Sequence, residues 1–126
     1  MGNAADFLLE DDVLVKYTGT DAVVEIPAGV TTVGNNAFIG NKTMTDLIMP
    51  DSLTTIGDHA FERCAKLKEL TLPASMKEIK FHSFWMCAAL KKLECAAEEL
   101  EIDPKAFDGC DLLADANGML ILANTL

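Results

Sequence analysis

Ile56-Gly57-Asp58-His59-Ala60-Phe61-Glu62-Arg63-Cys64 places a small residue before a phenylalanine and a cysteine three places after it. The same marks return every 23 residues. Phenylalanine stands at Phe38, Phe61, Phe84 and Phe107, preceded by Ala37, Ala60, Ser83 and Ala106. Cysteine follows at Cys64, Cys87 and Cys110, with Asn41 in the first slot. Proline agrees at Pro27, Pro50 and Pro73, and Ala96 fills the fourth slot. Aliphatic columns run Val24/Leu47/Leu70/Leu93, Val33/Ile56/Ile79/Ile102, Ile26/Met49/Leu72/Cys95 and Met44/Leu67/Leu90/Leu113. So many columns at one spacing mark a repeat architecture, which takes precedence over any local motif.

The units fall at 22–44, 45–67, 68–90 and 91–113, with 1–21 and 114–126 as ends of a single domain spanning 1–126. In Leu67-Lys68-Glu69-Leu70-Thr71-Leu72-Pro73, apolar Leu70 and Leu72 alternate with polar neighbours, which predicts a short strand with one buried face. Pro73 cannot donate to a ladder and ends it. A shorter extended piece is expected at Met76-Lys77-Glu78-Ile79. Residues 57–64 suit one turn of α- or 3-10 helix, with Asp58 near its start. A unit this small cannot bury its apolar face alone, but stacked copies can cover one another. With strands about 4.8 Å apart, four units form a stack of only about 20 Å. The expected fold is an α/β solenoid of right-handed coils. Short parallel strands line one face and 3-10 or short helical turns line the other.

The unit Leu67-x-x-Leu70-x-Leu72-Pro73-x-x-Met76-x-x-Ile79-x-x-x-Ser83-Phe84-x-x-Cys87 resembles the BspA-like class of leucine-rich repeats. The pattern of that class is Leu-x-x-Ile-x-Ile-Pro-x-x-Val-x-x-Ile-Gly-x-x-Ala-Phe-x-x-Cys, and residues 56–64 match it almost literally. The resemblance implies a bacterial cell-surface or secreted protein with a non-enzymatic binding or adhesion role. It carries over no catalytic residue. The fourth unit departs most. Ala96 replaces the proline, Asp103 the glycine, and Glu99 stands where Val30, Leu53 and Met76 do, so Leu100 is the candidate to fill that slot by a local shift. Lys80 also replaces the glycine of Gly34 and Gly57.

The ends resemble each other. Residues 7–17 read as a hairpin capping the first repeat, and 117–126 look like the beginning of the same hairpin. Two alternatives follow: a fragment of a longer protein, or a short natural chain with an unusual end. An apolar terminal strand is a liability when unpaired, so 117–126 is expected to fold back on the last repeat or pair with another copy.

Composition narrows the partners. Twenty acidic against ten basic residues give a formal charge of −10. Such a surface repels phosphate backbones, which argues against nucleic acid and anionic membranes. No apolar run approaches the roughly 18 residues of a membrane span, so membrane insertion is not expected. Met1-Gly2-Asn3-Ala4-Ala5-Asp6 shows no secretory signal.

Reactive chemistry is scarce. Cys64, Cys87 and Cys110 are expected to stack in the core as free thiols, because parallel side chains suit a disulfide dihedral poorly. Cys95 belongs to a core strand column. No Cys-x-x-Cys pair, P-loop, Gly-x-Ser-x-Gly or Gly-x-Gly-x-x-Gly is present. His59 and His82 share the column Asn36/His59/His82/Lys105, where two rings with Glu62 nearby could share a metal. Lys105 in the same column favours plain exposed polar residues, and no metal or cofactor is assigned. Glu98, Glu99 and Glu101 read as a solvated face, and Asp11-Asp12 as a turn. Asp115-Ala116-Asn117-Gly118 lacks the terminal glutamate of a calcium loop and reads as an Asn-Gly turn. Trp85 shares a column with Ile39, Glu62 and Asp108, and a ring lying over the neighbouring turn beside Phe81 is favoured over an exposed contact residue.

The strand face remains. Its outward positions are Val23 and Glu25, Asp46 and Ile48, Glu69 and Thr71, and Lys92 and Glu94. This strip is mildly acidic, with no aromatic platform for sugars and no arginine clamp for phosphate. It suits a protein surface with basic patches. The expected function is a non-enzymatic protein-binding or adhesion module using Glu25, Asp46, Ile48, Glu69, Thr71, Lys92 and Glu94 toward an unknown protein ligand. The alternative is a structural spacer or assembly unit that associates through its terminal strands.

Overall fold

The computed structural model describes residues 4–113. Ten strands follow a short 3-10 turn at Ala4–Asp6: β1 (Phe7–Glu10), β2 (Val13–Tyr17), β3 (Val23–Glu25), β4 (Thr32–Val33), β5 (Asp46–Ile48), β6 (Thr55–Ile56), β7 (Glu69–Leu72), β8 (Glu78–Ile79), β9 (Lys92–Cys95) and β10 (Glu101–Ile102). They form two sheets, one in the order β3-β5-β7-β9 and one in the order β1-β2-β4-β6-β8-β10. Every pairing is parallel except the hairpin of β1 with β2. Equivalent residues of successive coils are partners: Val24 pairs with Leu47, Leu70 with Leu93, and Val33 with Ile56, which pairs with Ile79. Each coil is thus hydrogen-bonded to the next along both sheets.

The prolines stop the first sheet and start its exit turn. The carbonyls of Pro27, Pro50 and Pro73 accept from the amides of Val30, Leu53 and Met76 at 3.1–3.3 Å. Those three side chains are buried. In the fourth coil Glu99 is exposed, Ala97 is turned into the core, and Leu100 is half-buried against it. Loss of proline and of the apolar residue three places on therefore shifts which side chains face inward.

The turns opposite the first sheet differ from the expected helix. Within 57–64, Ala60, Glu62 and Cys64 donate their amides to Gly57, His59 and Phe61 in the same coil. The intervening amides of His59, Phe61 and Arg63 donate to Phe81, Ser83 and Trp85 in the following coil. Beyond its first turn a helix would bond each successive amide within its own segment. Here every second amide is spent between coils, so the segment is a chain of turns, and the coil closes with a second sheet beside it. The alternation carries a backbone signature. Asn36, His59 and His82 have φ of 64°, 58° and 55°, and Gly40, Arg63, Met86 and Gly109 have φ of 72°, 60°, 60° and 83°.

The core runs up the axis of the stack. Phe38, Phe61, Phe84 and Phe107 are buried and stack in sequence with centroids 4.7–5.0 Å apart. The hairpin extends the column, because Tyr17 stacks on Phe38 at 5.1 Å and Phe7 meets Tyr17 at 5.0 Å with the rings tilted by 43°. Terminal segment 114–126, with its expected strand, its Asn-Gly turn and its proposed self-association, lies outside the described residues.

Candidate functional site

Strand alternation positions the first candidate surface. In β3, β5, β7 and β9 the central leucine or valine points inward, and its neighbours are exposed. Val23, Asp46, Glu69 and Lys92 form one row by direct strand pairing. Glu25, Ile48, Thr71 and Glu94 form the second at the same repeat spacing, and all eight residues are exposed. Asp46 and Glu69 are paired like charges, an arrangement that costs stability. Lys92 Nζ lies 3.5 Å from Glu94 Oε2, which neutralises the last coil locally. Val23 and Ile48 are 42% and 49% exposed, so the acidic strip carries two apolar contact points on its first two strands. A shallow groove beside them is lined by Glu25, Ile48, Met49, Pro50 and Asp51.

The turn face carries a second cluster. His59 and His82 face each other with ring centroids 5.3 Å apart at 82°. His59 Nδ1 meets Glu62 Oε1 in a short hydrogen bond. His82 lies between Phe81, whose centroid is 3.8 Å away, and Trp85 at 5.0 Å, both nearly parallel to it. Arg63 stands over the Trp85 ring at 5.1 Å. Trp85 therefore lies over the neighbouring turn and is half-buried, while Phe81 keeps 40% of its surface exposed. Periodicity places the histidines in one column, and the i, i+3 spacing brings in Glu62. The aromatic sandwich belongs to this coil alone, because only here do aromatic residues, Phe81 and Trp85, stand beside the histidine.

The cysteines are structural. Cys64, Cys87 and Cys110 are buried and free. Their Sγ atoms donate to the carbonyls of Phe38, Phe61 and Phe84 at 3.0–3.4 Å. The Cys110 thiol lowers the proton affinity of Cys87, but hydrogen bonding with Cys64 and burial outweigh it, so Cys87 stays well above the ordinary thiol range. Hydrogen bonding to Cys87, then burial, pushes Cys110 up as well. Such thiols are held as thiols and are poor nucleophiles. In the first slot Asn41 Oδ1 instead accepts from the amides of Thr43 and Met44, both at 2.9 Å. Of the acidic residues read as solvated, Glu98, Glu99 and Glu101 are exposed, as are Asp11 and Asp12.

Stacked 23-residue coils, a parallel sheet exposing every second residue and a buried phenylalanine column define a leucine-rich repeat solenoid. The family model for the BspA type leucine rich repeat region matches residues 17–118 in six copies, and the chain belongs to that family. Members of this family are typically non-enzymatic. The chain is similar in fold to a leucine-rich repeat protein of T. pallidum (TpLRR), with a TM-score of 0.74 and 24% identity over 89% of this chain and 68% of that one. It is also similar to a leucine-rich cell surface protein of Faecalibacterium prausnitzii, with a TM-score of 0.57 and 23% identity over 80% of this chain and 33% of that one. It thus spans only a third of the latter. No curated protein matches the sequence. Among the described residues no helix is long and apolar enough to cross a membrane.

Proposed function

We propose that the chain is a non-enzymatic protein-binding module of a bacterial cell-surface or secreted protein, and that it engages its ligand through the first sheet. The observation that carries this reading is the strand face itself. Two rows of exposed side chains stand on paired strands whose inward residues are buried in the core, so the backbone of the face is formed without a ligand. Preformed geometry lowers the entropic cost of association. Acidic Glu25, Asp46, Glu69 and Glu94 around apolar Val23 and Ile48 fit a partner with basic side chains around an apolar contact. The face is small, at the low end of specific interfaces, which favours weak binding strengthened by many displayed copies. Surface display agrees with the family and with the cell-surface relative.

The test is capture on immobilised chain, with Glu69→Lys/Glu94→Lys as the comparison. A ligand held by the natural sequence and released by the double variant supports the reading. A ligand held equally by both, and lost when 117–126 are deleted, overturns it in favour of an assembly unit using its terminal strand.

A further inference from the structure

We propose that His59, Glu62 and His82 form a binding site for a divalent transition-metal ion of the zinc class, shared by two neighbouring coils. Each residue offers one ligand atom, and these atoms lie within 4.8 Å of one another. Tetrahedral zinc with bonds of about 2.0–2.1 Å spaces its ligands about 3.3 Å apart. To seat the ion, side-chain rotation at His59 and Glu62 must open the hydrogen bond they now share. Two imidazoles and one carboxylate match the preference of zinc, nickel and copper, and differ from the all-oxygen sets that hold magnesium or calcium.

Several features prearrange the set. His59 and His82 are held at positive φ, and the His59 amide is tied to the Phe81 carbonyl at 3.0 Å. Their equivalent place in the repeat sets the two rings side by side on adjacent coils, 5.3 Å apart and nearly perpendicular. Phe81 and Trp85 cover the two faces of His82 and fix its plane. Glu62 already sits against His59 Nδ1, and its side chain is only 13% exposed. A carboxylate so far removed from water attracts a cation more strongly than an open one. The His59 side chain keeps 35% exposure, which leaves an entry route and a position for water. Arg63, 4.0 Å from the second Glu62 oxygen, opposes the cation but is largely turned to solvent and the Trp85 face. Lys105 shares the histidine column, but it is exposed one coil further on and lacks the left-handed backbone.

The test uses the full chain carrying Cys95→Ser, which removes the one half-buried thiol, and titrates zinc ion by calorimetry. His59→Asn and His82→Asn are the apt substitutions, because Asn36 occupies the same slot with the same backbone. The expected result is saturable one-to-one binding, weakened at least about tenfold by either substitution and by Glu62→Gln. Trp85 is the only tryptophan and stacks on His82, so cupric ion should quench its emission in the parent but not in His82→Asn. Zinc binding that survives the His59→Asn/His82→Asn double substitution, or no saturable binding in the parent, overturns the proposal. Melting curves of each variant show that the comparison is made between folded chains.

Discussion

The rings of Phe61 and Phe84 stack 5.0 Å apart with an interplanar angle of 3°. That contact joins the second and third coils inside a column of six rings running from Phe7 to Phe107. Both rings are fully buried. Phe61→Ala should therefore cost on the order of 3–5 kcal/mol, the range for removing a core phenylalanine. Phe107→Ala should cost less, because its ring stacks on one described neighbour and keeps 8% exposure. Urea unfolding of the two variants measures the difference. Equal losses would mean that the column is not cooperative along its length.

The thiols make a kinetic prediction. Cys64, Cys87 and Cys110 are buried, each with a carbonyl partner, whereas Cys95 is half-buried. In the folded chain a thiol reagent should modify Cys95 first. The other three should react only on opening of the stack, and all four should react in denaturant. Rapid labelling of Cys87 in the native state would contradict the ladder.

Ser83 is a polar residue in an apolar column, where Ala37, Ala60 and Ala106 stand elsewhere. Its hydroxyl donates within reach of the Gly57 carbonyl at 3.0 Å and the Lys80 carbonyl at 2.5 Å. Ser83→Ala removes a contribution of about 1 kcal/mol, but the other coils show that a methyl group fits. The expected change is a loss within about 1 kcal/mol, read from the denaturation midpoint. A much larger loss would show that the third coil needs this hydroxyl as the others do not.

The repeat was legible because phenylalanine, proline and cysteine are uncommon enough for their spacing to stand out. The upper end of the aromatic column was not, since Tyr17 and Phe7 belong to a hairpin and fall outside the 23-residue register. The helical reading of 57–64 failed for a different reason. Local composition suits a helical turn, but the amides of His59, Phe61 and Arg63 are claimed by the next coil, a demand visible only when two units are considered together. Alternation on β7 displayed the strand face directly. The His59–His82 pair follows from one column, whereas the ring sandwich on His82 rests on Phe81 and Trp85, which break the mostly polar pattern of their own columns.

Tyr17 gives an alkaline prediction. Its ring is buried between Phe7 and Phe38, and its hydroxyl accepts from the Asp21 amide at 3.3 Å. Burial raises its pKa above 10.0, the Asp21 amide opposes the rise, and the carboxylates of Asp21 and Asp6 add to it. The folded state therefore binds the phenolic proton more tightly than the unfolded state. Stability from this group is fully present below about pH 10, the unfolded value, and is lost as pH rises through the higher folded value. Tyr17→Phe should lose about 0.5–1.5 kcal/mol at neutral pH with the hydroxyl contact. Above pH 10 it should fall less steeply than the parent, although both retain the alkaline sensitivity of the buried thiols. Parallel denaturation series from pH 8 to 11 on the two proteins isolate the tyrosine, and curves that stay parallel across that window would place its hydroxyl in solvent rather than against the first coil.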